Sequence, residues 1–128
     1  METKITNGIR ISVRAFYQPK YSVPLLMKYV FSYKVFIENQ SPVPVQLLNR
    51  HWLIFDSTGD RQEVSGEGVI GQQPILPPGS RYQYTSWSQI HSEIGSMQGY
   101  YEMRDLQQQK NFSVQIPAFN LIPAFKMN

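Results

Sequence analysis

Six residues, Gly66-Glu67-Gly68-Val69-Ile70-Gly71, carry the glycine spacing of a dinucleotide-binding loop. Such a loop works by opening a helix whose N-terminal amides hold a pyrophosphate. The eight residues that follow, Gln72-Gln73-Pro74-Ile75-Leu76-Pro77-Pro78-Gly79, forbid that helix. Proline lacks the backbone donor and clashes with the preceding turn. Two uses remain for the glycines. Gly66, Gly68 and Gly71, helped by Gln72 and Gln73, present an anion nest of backbone N–H groups, against which Glu67 would set a like charge. Or they permit an irregular crossing between sheets, where positive φ or close backbone approach is required.

Other chemistry is thinly represented. Two histidines, His51 and His91, lie far apart and share no ligand spacing, and Glu63 with Glu67 makes at most a loose site for a hard cation. The metal content is left open and no cofactor is expected. No Gly-x-Ser-x-Gly elbow is present, and no pair of carboxylates is singled out for acid–base work, so no catalytic residue is assigned and the chain is not expected to be an enzyme. The absence of cysteine removes disulfides, thiolate metal sites and a thiol nucleophile.

The elements that must position these residues follow a period of two. Ile9–Tyr17 alternates Ile9, Ile11, Val13 and Ala15 with Arg10, Ser12, Arg14 and Phe16; in Tyr29–Glu38 the residues Tyr29, Phe31, Tyr33, Val35 and Ile37 form one face. Both read as half-buried antiparallel strands. Asn39–Pro44 reads as a turn. A third strand, Val45–Asp56, slips its alternation near Asn49-Arg50-His51, which predicts a bulge. Asp56–Asp60 is a tight loop leading to a strand Arg61–Val64. Pro77-Pro78-Gly79 is a turn, and Arg81–Trp87, Gly95–Arg104 and Phe112–Ile116 are further strands, the last two joined by the polar connection Leu106–Asn111. No helical stripe is sustained anywhere. The whole chain, 1–128, is expected to form one antiparallel β-sandwich of about seven or more strands. Ile116-Pro117-Ala118-Phe119 recurs as Ile122-Pro123-Ala124-Phe125, read as a tail on the sandwich end.

The net charge of +3 is unevenly spread: residues 1–50 hold Lys4, Arg10, Arg14, Lys20, Lys28, Lys34 and Arg50 against Glu2 and Glu38. These cations are scattered rather than clustered and read as solvent-facing strand positions. Arg10, Arg14 and Phe16 share a strand face, too little by themselves to predict nucleic acid as a partner. Met1–Ile5 has no apolar signal core, and the apolar run Val23–Phe31 is too short for a bilayer, so a cytoplasmic protein without membrane attachment is expected.

Four segments carry a family likeness: Asn49-Arg50-His51-Trp52-Leu53-Ile54; Val64 through Gln73-Pro74 with Leu76-Pro77-Pro78-Gly79; Tyr82-Gln83-Tyr84-Thr85-Ser86; and Gly95-Ser96-Met97-Gln98-Gly99-Tyr100-Tyr101-Glu102-Met103 with Ile116-Pro117-Ala118-Phe119. In order and spacing they resemble the ApaG family across nearly the whole chain. The resemblance implies an immunoglobulin-like or fibronectin type III-like sandwich. It also implies a genetic association with diadenosine tetraphosphate hydrolysis, ribosomal RNA methylation and cobalt and magnesium tolerance. Within larger eukaryotic proteins it implies a partner-binding module. No catalytic motif comes with it. The chain departs from the family at Trp87 and Glu93-Ile94. The function expected is a non-enzymatic module that binds a protein partner through the Val64–Pro74 loop, the Arg50-His51 bulge and Trp87, an aromatic that reads equally as part of a binding surface or as a cap on the core. The alternative is a small-ligand module taking a phosphate-containing nucleotide or divalent cation at Gly66–Gly71. An edge strand offers a route to a homodimer. Trp52 is expected in the core, its indole N–H requiring an internal partner.

Overall fold

Strands rich in aromatic and β-branched residues, apolar on alternate positions, gain stability only by burying those faces against each other. In a computed structural model, which describes residues 1–123, they do so as two antiparallel sheets. Nine strands run β1 (Glu2–Thr6), β2 (Ile9–Tyr17), β3 (Tyr29–Asn39), β4 (Val45–Asp56), β5 (Arg61–Glu67), β6 (Ile75–Leu76), β7 (Arg81–Ile90), β8 (Gly95–Asp105) and β9 (Lys110–Leu121). One sheet has the order β1-β2-β3-β7. The other has β5-β4-β8-β9, with the short β6 pairing beside β4. This is an immunoglobulin-like sandwich, with a tryptophan buried on the strand that opens the second sheet, Trp52 on β4.

The expected strands all form. β1 is additional: Asn7 (φ 49°) and Gly8 (φ 82°) turn the chain back so that Glu2–Thr6 pairs with β2. Asn-Gly suits a two-residue hairpin turn, in which both central residues need positive φ. β5 continues to Glu67, so Gly66 and Glu67 belong to a strand rather than to a loop. Of the second Ile-Pro-Ala-Phe copy, Ala124 and Phe125 lie outside the described residues.

The core draws on both inner faces. Ile11, Val13, Phe31, Val35 and Ile37 of the first sheet meet Leu47, Trp52, Met97, Tyr101 and Met103 of the second. A hydrogen bond between the Tyr84 and Tyr101 hydroxyls bridges the sheets inside it. Trp52 packs edge-on against Tyr33, with ring centroids 5.3 Å apart, and against Phe119 at 6.0 Å. Among the described residues its buried indole N–H has no hydrogen-bond partner, contrary to the expectation that one would be supplied.

Asp56 pins one end of the sandwich. Its buried carboxylate accepts bonds from the backbone N–H groups of His91 (2.6 Å) and Thr58 (3.2 Å) and from the Ser92 hydroxyl. Burial pushes its pKa up, but these donors outweigh burial and hold it below the ordinary carboxylate value. A lowered folded-state pKa stabilises the fold above the unfolded value of 3.8, and that contribution is lost as the pH falls further. Asp56→Asn is therefore expected to cost about 1–3 kcal/mol at pH 7. In urea denaturation at pH 7 and pH 3, the gap between the two proteins should narrow at the lower pH. An equal gap at both would show that the carboxylate charge has no part in it.

Candidate functional site

The bulge and the glycine segment build one another. The β4–β8 register shifts between Leu47 and Asn49, close to the predicted slip at Asn49–His51. The shift turns the Leu48 carbonyl outward, where it accepts from the Gly68 N–H (2.7 Å) and from the Gln73 side-chain amide (2.9 Å). The Leu47 N–H reaches the Pro74 carbonyl at 3.1 Å. Between these anchors Val69 and Gln72 exchange both backbone bonds, N–H to O, at 2.8 and 2.9 Å. The intervening Ile70 (φ 48°) and Gly71 (φ 71°) make a two-residue hairpin turn of the type with positive φ at both positions. No helix begins here. Of the glycine amides offered as an anion nest, that of Gly68 is bonded to the Leu48 carbonyl, and the neighbouring amides of Val69 and Gln72 are bonded to each other's carbonyls. The segment is thus a tight excursion whose flanking strands, β5 and β6, both pair with β4, and not the crossing between sheets that the glycines suggested; the chain changes sheets after it, between β6 and β7.

Arg50 is the clamp. The bulge places it on the core-facing side of β4, opposite Gly66 on β5. Its Nη1 donates to the carbonyls of Glu67 and Gly68, both at 2.9 Å. The guanidinium lies so closely over Gly66 that a Cβ there would stand 2.7–2.9 Å from its atoms. Gly66 is a glycine because the guanidinium occupies the space of its side chain. Arg50 also acts on the tyrosine cluster beneath it. Burial raises the pKa of Tyr33, Tyr84 and Tyr101, and the Arg50 charge partly offsets that rise. Arg50 thus holds the loop from the adjacent strand.

His51 faces outward on the same strand. Its ring stacks on Tyr100 (centroids 4.4 Å, 18° between planes), and Nδ1 lies 3.0 Å from the Ser65 hydroxyl. Lys4, Glu63, Ser65, Gln98 and Tyr100 join it around an open groove of about 550 Å³. Trp87 is elsewhere: it lies on β7 of the other sheet and packs edge-on against Tyr21 at 5.5 Å. The residues proposed as one partner surface thus divide between two sheets. Two residues of the glycine segment, Ile70 (58% exposed) and Ile75 (57%), were not singled out from the sequence. The available signal was an isoleucine set between glycines at a turn.

For metal binding, no group of three or more His, Asp or Glu side chains converges among the described residues. Glu63 and Glu67 sit four residues apart on β5, roughly 13 Å along a strand, too far to share an ion. No helix among the described residues is long and apolar enough to cross a membrane.

Comparison with known proteins agrees with the segments quoted above. Residues 19–105 match the ApaG domain family. Protein ApaG of Escherichia coli is 48% identical over 111 residues, covering 87% of this chain and 88% of its own. Protein ApaG of Anaeromyxobacter dehalogenans is 46% identical over 103 residues, covering 80% and 81%. A crystal structure of a Bordetella pertussis protein superposes with a TM-score of 0.87 at 40% identity, covering 91% of this chain and 94% of that one. By sequence and by fold alike, the chain belongs to the ApaG family.

Proposed function

We propose that this chain is a non-enzymatic binding module that displays the tip of its glycine segment to a protein partner. One observation carries the reading: Ile70, a β-branched residue, is held exposed in the left-handed region at φ 48°. Such a residue there is strained by about 1–2 kcal/mol. The strain persists because the surrounding bonds over-determine it, and strain of this kind gathers at functional sites. The tip is tied down on both sides: Arg50 holds the carbonyls before it, Leu48 the amide of Gly68, and Gln73 and Pro74 the chain after it. Preorganisation lowers the ordering cost of binding. Ile70, with Ile75 five residues on, supplies the apolar anchor such a contact requires.

Ile70→Asn tests this directly, because Asn-Gly is the favoured pair for the turn. The substitution is expected to raise stability by about 1 kcal/mol, or Tm by about 4 °C, while abolishing recovery of the partner in cross-linking pull-downs. Trp87→Ala, on the other sheet, should leave recovery unchanged. If Ile70→Asn and wild type recover the same proteins, the tip is not the contact surface.

A further inference from the structure

The outer face of the β1-β2-β3-β7 sheet gathers what the sequence leaves scattered. Cross-strand register places Phe16 of β2 in one row with Ser32 of β3 and Trp87 of β7. The next row outward-facing on the same strands is Arg14, Lys34 and Thr85; then come Ser12, Phe36 and Gln83; then Arg10, Glu38 and Arg81. Rows of rings therefore alternate with rows of cations. The aromatics project: Trp87 is 53% exposed, Tyr21 52% and Phe16 41%. Each ring but Trp87 has a cation beside it. The Arg14 guanidinium is 5.2 Å from the Phe16 ring centre, the Lys34 ammonium 5.3 Å from Phe36 and the Lys20 ammonium 5.9 Å from Tyr21. Glu38 is the one carboxylate on β2, β3 and β7, and it lies 3.8 Å from Arg81. Open grooves lie at both ends of the face. One, of about 660 Å³, is bordered by Arg10, Phe36 and Arg81, and the other, of about 560 Å³, by Lys20, Tyr21 and Trp87.

We propose that this face binds single-stranded nucleic acid, its exposed rings stacking on bases while the interleaved cations hold the phosphates. Sequence-tolerant single-strand binding requires this combination: a positively charged track and aromatic side chains at intervals along it. A four-stranded sheet with exposed rings is a known platform for unstacked bases. The charge is complementary, since the face is cationic and its one carboxylate is beside an arginine. A duplex would leave the rings without partners, because its base faces are already stacked. The expectation against nucleic acid came from cations far apart along the chain, and the strand register brings them together. The site is on the sheet opposite the Ile70 tip and does not depend on that tip's role.

Fluorescence anisotropy of labelled 12-nucleotide oligouridylate, oligothymidylate and a duplex of equal length, at 50 and 200 mM NaCl, tests the proposal. Saturable binding to the single strands at micromolar concentration is expected, about tenfold tighter than to the duplex. Phe16→Ala and Trp87→Ala should each weaken it about tenfold without changing its salt dependence. The double variant Arg14→Gln/Lys34→Gln should weaken it and flatten the plot of log affinity against log salt by about 1.4, at about 0.7 for each phosphate no longer neutralised. Ile70→Asn should bind as wild type does. No saturable binding at 50 mM salt, equal affinity for the duplex, or indifference to the ring substitutions would each overturn the proposal. So would binding to vesicles containing anionic lipid in place of the oligonucleotides; the exposed tip Leu25-Leu26-Met27 beyond the sheet end is the feature such binding would use.

Discussion

Gly99→Ala is expected to destabilise the protein by about 4 kcal/mol or more, and to lower Tm by about 15 °C, or to prevent folding altogether. Gly99 lies on β8 opposite Trp52, where the pairing with β9 shifts register. An added Cβ would stand 2.0 Å from the His51 carbonyl oxygen and 3.2 Å from the Trp52 Cα. Those atoms are backbone of a central strand, paired on both sides, and cannot move aside as a flexible side chain can. The relief available is to push β4 away, which opens the packing of Trp52 against Tyr33 and Phe119. Thermal and urea unfolding of the purified variant measure the effect. A Tm within about 3 °C of wild type would show that the two strands are not so closely apposed.

The second large effect is expected at Arg50. Arg50→Met removes a charged donor from the carbonyls of Glu67 and Gly68, and should cost about 2–3 kcal/mol. Hydrogen exchange at the amides of Gly68, Val69 and Gln72 should accelerate more than that of the core strands, since the clamp acts locally. The sharper test is a double-mutant cycle with Gly66. In the wild-type background Gly66→Ala is expected to cost about 1–2 kcal/mol, because its Cβ displaces the guanidinium. In the Arg50→Met background the same change should be neutral or slightly stabilising, since alanine loses less entropy than glycine on entering a strand. A coupling of at least about 1 kcal/mol is predicted. Strict additivity would mean that the guanidinium does not sit over Gly66 in solution.

Much of the fold is legible in the chain because burial imposes a period of two. β3 is the clearest case: its inward residues Tyr29, Phe31, Tyr33, Val35 and Ile37 are all buried. The bulge in β4 is legible for the same reason, since a residue skipped in the pairing shows as slipped alternation. β1 escapes this reading because Glu2–Ile5 is exposed and has no apolar face; its one signal is the Asn7-Gly8 turn. β6, at two residues, is too short for any periodicity.

The candidate sites are less legible, and the reason is cross-strand geometry. The prolines after Gly71 do exclude a helical phosphate cradle. Nothing local tells that Gly66 makes room for an arginine of the adjacent strand. Arg50 in turn looks like a surface cation until the bulge is seen to turn it toward the core side. Register hides the ring-and-cation face in the same way. Phe16, Phe36 and Trp87 are separated by 20 and 51 positions in the chain, and pairing through β3 sets Phe16 and Trp87 in one row and Phe36 two rows along on the same face.

The two tryptophans occupy opposite environments, Trp52 4% exposed among aromatic rings and Trp87 53% exposed on a sheet face. The protein therefore carries two optical reporters that separate without labelling. Emission from the enclosed indole, blue-shifted and shielded from iodide, follows loss of packing. The accessible one, red-shifted and open to the quencher, follows whatever comes to rest on its sheet.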